Sequence, residues 1–164
     1  MDMFIIRHAW AGQFGDPAWP NDSQRPLTEE GRRRFARMAA RLAERGLAPE
    51  IIATSPMVRC VETARALAEN VSGRPEVAAR DELLPDGDVQ ALVAWTAQQA
   101  EQHEQIAWVG HAPDVGRLAA ALIGPAGAAV HFSKGAVAAI RFEQSPQLGQ
   151  GELRWLVTAK LLDC

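Results

Sequence analysis

Three stretches of this chain end an apolar run in polar, chemically capable residues: Phe4-Ile5-Ile6-Arg7-His8, Ile51-Ile52-Ala53-Thr54-Ser55-Pro56-Met57-Val58-Arg59 and Ala107-Trp108-Val109-Gly110-His111-Ala112-Pro113. A guanidinium offers a planar fork of N–H donors that matches phosphate or carboxylate oxygens. A neutral imidazole can attack as a nucleophile or donate a hydrogen bond. Two of each, brought together, suit an anionic ligand such as a phosphate or a carboxylate. No single piece carries that reading, since chance alone supplies roughly 0.4 Arg-His dipeptides in a chain this rich in arginine. A lone Arg on a helix is ordinarily solvated, and a lone His after a strand is ordinarily a hydrogen-bonded structural residue. The signal is convergence: ligands in an open α/β sheet bind beyond the carboxyl ends of the parallel strands, and all three stretches would deliver their polar ends there.

The elements that must position these residues alternate along the chain. Met3–Ile6 reads as a buried strand, followed by a loop rich in Gly, Pro, Asn and Asp from Gly12 to Pro26. Thr28 is placed to cap a helix with Glu29 and Glu30 in its first turn and Phe35, Met38, Ala39 and Leu42 on one face, stopping near Gly46. Glu50–Ala53 is a second strand, and Ser55-Pro56 predicts the N-cap and first residue of a helix. That helix would bury Met57, Val61, Ala64, Ala68 and Val71 and end at Gly73. A strand at Glu76–Ala79, an acidic loop at Asp81–Asp88, a helix from Val89 to Gln102 and a strand at Gln105–Val109 follow, with Pro113 at a further helix start. Gly135–Phe142 and Glu152–Leu161 read as a terminal hairpin. The alternation predicts an α/β fold: a three-layer α/β/α sandwich whose mostly parallel central sheet has an antiparallel edge.

Composition removes other classes. The 164 residues are 48% hydrophobic and 23% charged, which fits one globular domain over residues 1–164 and argues against disorder. Apolar runs such as Ala136–Ile140 are too short to cross a bilayer, and Met1–Ile6, carrying Asp2 and leading into Arg7, lacks a signal-peptide layout. The expectation is a cytoplasmic protein with no membrane association. A net charge of −3 argues against nucleic-acid binding through a basic surface. Only Lys134 and Lys160 among the 17 basic residues are lysines, a bias read chiefly as codon usage. Cys60 and Cys164 form neither a disulfide framework nor a metal-ligand spacing.

Arg7-His8 after an N-terminal strand, Ser55-Pro56-x-x-Arg59 with Glu62-Thr63-Ala64, and Gly110-His111 after a late strand resemble the histidine phosphatase superfamily, which includes phosphoglycerate mutases. The motifs run in the family's order over Met1 to about Gly116. Arg25-Pro26-Leu27-Thr28-x-x-Gly31, Glu82-Leu83-x-Pro85-x-Gly87-Asp88 and the small size look most like the SixA-type phosphohistidine phosphatases; Ala9 stands where the superfamily usually has Gly. The resemblance implies a phosphoglycerate mutase-like fold, no cofactor and no metal, and His8 as the nucleophile that forms a phosphohistidine intermediate. It makes Arg7 and Arg59 the phosphoryl clamp and His111 a donor to the same group. Glu82 is the candidate general acid, with Asp81, Asp86 and Asp88 competing, or no acid at all. An imidazole leaving group carrying a proton on its other nitrogen needs little help.

Few of the 52 positions from Arg59 to His111 remain for an enclosing lid once the elements between are placed, and an open site suits a phosphate presented on another protein. The expected substrate is therefore a protein phosphohistidine, such as that of a histidine phosphotransfer domain; the alternative is a phosphatase of small phosphomonoesters. Two other classes are a zinc enzyme using His8, His111 and His131, which lacks ligand spacing, and a silent phosphate-binding adaptor. Arg25 either reaches substrate from the loop mouth or forms a structural ion pair. Trp10 and Trp19 are read as core, His103 and His131 as structural, Cys60 as a small core residue, and the α-helical Arg32, Arg33, Arg34, Arg37, Arg41 and Arg45 as a solvated face rather than a docking one. Oligomeric state and the attacking nitrogen of His8 are left open.

Overall fold

The strands that carry the predicted site residues are apolar throughout because they are covered on both faces. They are β1 (Asp2–Arg7), β2 (Ile51–Thr54) and β4 (Gln105–Gly110), joined in one sheet by β3 (Glu76–Ala79), β5 (Val137–Arg141) and β6 (Glu152–Val157) in the order β3-β2-β4-β1-β5-β6. This computed structural model describes residues 1–124, 127, 128 and 130–164. Strands β3, β2, β4 and β1 are mutually parallel, while β5 runs antiparallel to β1 and β6 antiparallel to β5. Register matters for function: Arg7 lies opposite Gly110, and Thr54 opposite Val109. The next residues, His8, Ser55 and His111, therefore leave the sheet side by side at its carboxyl edge.

Alternate residues of β1 point to opposite faces and seed two cores. Phe4 and Ile6 pack with Phe35, Met38 and Leu42 of α1 (Glu29–Ala43) and with Cys60 and Leu67 of α2 (Val58–Asn70). Met3 and Ile5 pack with Leu92 and Val93 of α3 (Val89–Gln99) and with Val115, Ala119 and Leu122 of α4 (Asp114–Ile123). The result is the expected three-layer sandwich with a mostly parallel sheet. Thr28 caps α1 by accepting from the Gly31 amide, and Asp88 caps α3 by accepting from Gln90 and Ala91, contacts worth about 1 kcal/mol each.

Several elements differ from the sequence reading, among them α3, which stops at Gln99 rather than at Gln102. α2 starts at Val58 rather than at Pro56, with no side-chain cap, because the Ser55 hydroxyl is turned toward His111. Its buried face is Arg59, Cys60, Thr63, Ala64, Ala66 and Leu67, so the polar Arg59 and Thr63 displace Met57 and Val61 from the inside. The hairpin strands are shorter than predicted, and the chain after β6 turns into a short 3-10 segment at Ala159–Leu162. Among the described residues no helix is long and apolar enough to cross a membrane.

Candidate active site

Beyond the carboxyl edge of β1, β2 and β4, His8, Arg59 and His111 lie together, only 7%, 5% and 4% exposed, with Arg7 half-buried beside them. The two imidazole rings stand edge to face with centroids 5.5 Å apart. His8 Nδ1 lies 2.7 Å from the Ala9 carbonyl oxygen. A carbonyl only accepts, so Nδ1 carries the proton and Nε2 keeps its lone pair. Burial first, and then the charges of Arg59 and Arg7, push the His8 pKa down to about 3 against the bond to Ala9. Burial and Arg59 likewise push His111 down to about 4, although the Asp22 carboxylate works the other way. Both rings are neutral at pH 7.

Each guanidinium is anchored by a main-chain carbonyl. Arg7 Nη1 donates to Phe132 O at 2.8 Å, and Arg59 Nη1 donates to Asp22 O at 2.8 Å. Arg59 Nη2 lies 3.1 Å from both the Asp22 carboxylate and Met57 Sδ. The Nε groups of Arg7 and Arg59 are buried with no acceptor, two of four such side-chain atoms among the described residues, the others being on Trp19 and Arg80. An unmet buried donor costs about 1–3 kcal/mol, more when charged, so an anion between these two arginines would relieve both.

The residues around this group fix its parts, and several are absent from the predicted set. Thr63, fully buried, accepts from the Ala9 amide at 3.0 Å and donates to Arg59 O at 2.7 Å, tying the end of β1 to the first turn of α2. Glu62 accepts from the Leu27 amide at 2.6 Å and so holds the end of the long loop. Ser55 Oγ lies 2.8 Å from His111 Nε2, completing that bond in either tautomer of the ring. Cys60 Sγ lies 3.5 Å from the same nitrogen; burial pushes its thiol up to about 12, leaving it protonated. In the sequence Glu62 and Thr63 belong to a motif that gives them no role of their own. Asp22 had no signal beyond its place in the loop.

Glu82 shares a cavity of about 290 Å³ with His111, Asp86, Asp114 and Arg117, and its carboxylate pairs with Arg80 at 2.6 Å. Gly87 lets this loop close, since a Cβ there would meet the Glu82 carbonyl. Of the competing acids, Asp88 is spent as the α3 cap, exposed Asp86 faces Arg117 at 3.6 Å, and Asp81 does not line the cavity. Arg25 pairs with Asp22 at 2.8 Å and donates to Gly12 O at 2.9 Å, one turn of chain from Arg59's own anchor. Trp10 is partly buried against the α1–α2 core under the Arg34 guanidinium at 4.2 Å, and Trp19 is half-buried outside either core. His103 meets Glu50 at 3.4 Å, whereas His131 is exposed and lines a second cavity of about 800 Å³ with Arg7 and Arg117. Among the described residues no three His, Cys, Asp or Glu side chains gather as a metal site.

The family described as the histidine phosphatase superfamily (branch 1) matches residues 3–131. An uncharacterized protein of Picosynechococcus sp. is 34% identical over 143 residues, covering 86% of this chain and 85% of its own. The structure of the protein histidine phosphatase SixA complexed with tungstate superposes with a TM-score of 0.85 at 27% identity, covering 99% of both chains. The α-ribazole phosphatase of Shigella flexneri shares the fold at 19% identity, with a TM-score of 0.72 over 97% of both chains.

Proposed function

Because this chain belongs to the histidine phosphatase superfamily, and so to a family of phosphatase hydrolases, we propose that it removes phosphate from a phosphohistidine on another protein through a covalent phospho-His8 intermediate. The observation that carries the reading is the pair of unmet, buried arginine Nε donors beside an imidazole whose Nε2 lone pair is free. In the first step His8 Nε2 forms a bond to phosphorus as the bond to the substrate nitrogen breaks, and the electron pair leaves with the substrate imidazole. That imidazole keeps the proton on its other nitrogen and departs neutral; Glu82 is the candidate acid for a leaving group that lacks such a proton. Arg7 and Arg59 hold the phosphoryl oxygens as charge spreads over them, and His111 donates to the same group.

The phosphorylated His8 ring becomes cationic, and the Ala9 carbonyl accepting from Nδ1–H at 2.7 Å stabilises that charge. Water then bonds to phosphorus as the Nε2–P bond breaks, its protons pass to phosphoryl oxygens so that dihydrogen phosphate leaves, and the ring returns neutral with Nδ1–H unchanged. The arginines supply the positive charge, so no step in this scheme calls for a metal ion.

A protein substrate is favoured by the short run of chain between Arg59 and His111. Between Arg59 and His111 the chain is spent on the rest of α2, β3, a 3-10 turn, α3 and β4, which leaves no insertion to enclose a small molecule. The SixA likeness points the same way, and a histidine phosphotransfer domain is the kind of partner it suggests. The test is phosphate release, with EDTA present, from a phosphorylated histidine phosphotransfer domain and from p-nitrophenyl phosphate. Wild type should release phosphate faster from the protein, and His8→Ala from neither. Preference for the small ester would replace this reading with a general phosphatase, and activity surviving in His8→Ala would overturn the mechanism.

A further inference from the structure

Asp22 grips the Arg59 guanidinium at both terminal nitrogens. Its carbonyl oxygen accepts from Nη1 at 2.8 Å, and its carboxylate Oδ2 pairs with Nη2 at 3.1 Å. The second carboxylate oxygen is taken by Arg25 Nε at 2.8 Å, and Arg25 Nη1 in turn donates to Gly12 O at 2.9 Å. Asp22 is itself held, because it opens a 3-10 turn (Asp22–Gln24) that Asn21 caps by accepting from the Ser23 amide. We propose that Asp22 is the positioning residue for Arg59: it fixes the end of the guanidinium so that the buried Nε edge is the one presented to the phosphoryl group. The inference rests on the phosphatase reading above.

The alternative for a long arginine side chain is a spread of rotamers, and a clamp that must order itself during the reaction loses rate rather than affinity. Both clamp residues are anchored by loop carbonyls, Arg7 by Phe132 in the connection that leads into β5, but Arg59 alone also meets a carboxylate there. Two guanidiniums share one carboxylate, so the site stays positive for an incoming phosphate. Partial burial opposes ionisation of Asp22, yet the hydrogen bond from Arg25 and the charges of Arg59 and Arg25 hold its carboxyl below the usual range, so the grip is ionic at neutral pH.

A double-mutant cycle on p-nitrophenyl phosphate hydrolysis by the full chain tests this, using Asp22→Asn and Asp22→Ala alone and combined with Arg59→Ala. Asn keeps the shape and the carbonyl and removes the charge. Asp22→Asn should lower kcat about tenfold and Asp22→Ala up to about 100-fold, with KM moving less than about threefold. In the Arg59→Ala background either change should add less than about twofold, because its route of action is already gone. Inhibition by vanadate, which mimics five-coordinate phosphorus, should weaken in step with kcat. A general structural role would reduce activity equally in both backgrounds and overturn the inference. Unchanged kcat would also overturn it, as would tighter vanadate binding, which would mark Asp22 as a competitor of phosphate. Failure of the phosphatase reading shows separately, as wild type that releases phosphate from neither a phosphorylated histidine phosphotransfer domain nor p-nitrophenyl phosphate, or as His8→Ala that still releases it, and it removes both.

Discussion

Both ends of the sheet gather arginines around a cavity, and they use them in opposite ways. At the amino edge a cavity of about 930 Å³ is lined by Arg45, Arg141, Arg154, Asp2, Glu152 and Trp155. There Arg141 pairs with Asp2 and Arg154 with Glu152, each at 2.9 Å, and the two arginine side chains are 52% and 54% exposed. Such pairs in water contribute about 0–1 kcal/mol and ask for nothing more. At the carboxyl edge the cavities are smaller, about 800 and 290 Å³, yet Arg59 has a side chain only 6% exposed, and it and Arg7 are held by carbonyl oxygens with Nε unmet. Volume therefore does not mark the site. The mark is positive charge taken out of water and left short of acceptors, an arrangement that is unfavourable until an anion arrives.

The largest effects should separate the two ends. Arg7→Ala and Arg59→Ala each remove a donor aimed at developing charge and should lower kcat/KM by about 10²–10³, in the range seen for oxyanion donors. Arg141→Ala and Arg154→Ala should stay within about twofold of wild type. Steady-state kinetics on one phosphoryl substrate checks all four. A tenfold loss from Arg154→Ala would break the comparison and give the larger cavity a part in the reaction.

Protonation sharpens it next. An unshifted histidine would be about 30-fold depleted in its neutral form at pH 5. His8, pushed down to about 3, and His111, pushed down to about 4, should instead show no titration step between pH 5 and 8 in an NMR titration of the ring protons. A step near 6.5 in either ring would mean that the site is wetter than the structure indicates. The same shifts set a stability slope. The folded values lie below the unfolded 6.5, so the unfolded chain binds more protons as pH falls. The stability held by these neutral rings is complete above about pH 6.5 and is lost as pH falls toward 4 and then 3. Thermal denaturation from pH 7 to pH 4 should show a falling Tm, and His8→Gln should flatten part of that fall.

The division of labour between the two ends also explains what could be read from the chain. β1, α1 and β4 were legible because their apolar spacing is a direct record of burial on one or both faces, and Phe35, Met38, Ala39 and Leu42 are all inside. The face of α2 was misread because it buries Arg59 and Thr63, polar residues that periodicity assigns to solvent. Ser55 reads as a cap in the sequence, whereas its hydroxyl meets His111 Nε2 at 2.8 Å and takes the Met57 amide only at 3.4 Å. Strand ends in a parallel sheet brought His8, Ser55 and His111 to one edge, as the register requires. Asp22, by contrast, sits in a loop whose path no periodicity encodes, and its grip on Arg59 spans 37 positions of sequence. Local signals specify elements; the groups that hold a site in place are mostly long-range and appear only when the chain is folded.

The smallest predicted effect applies the same substitution to the two ends. Ser55 is fully buried and is the one oxygen partner of His111 Nε2 among the described residues, with the Cys60 sulfur 3.5 Å away as the weaker alternative. Ser145 is exposed in the turn before β6. Removing the hydroxyl at Ser55 with Ala leaves a buried ring nitrogen without a good partner, which should lower stability by about 1 kcal/mol and kcat by about three- to tenfold as His111 loses its fixed orientation. Ser145→Ala should leave both unchanged, because water replaces the lost contact. Thermal denaturation and kcat measured on both variants check this. Equal, negligible effects would mean that packing alone orients His111, and the contrast between the ends would then rest on the arginines.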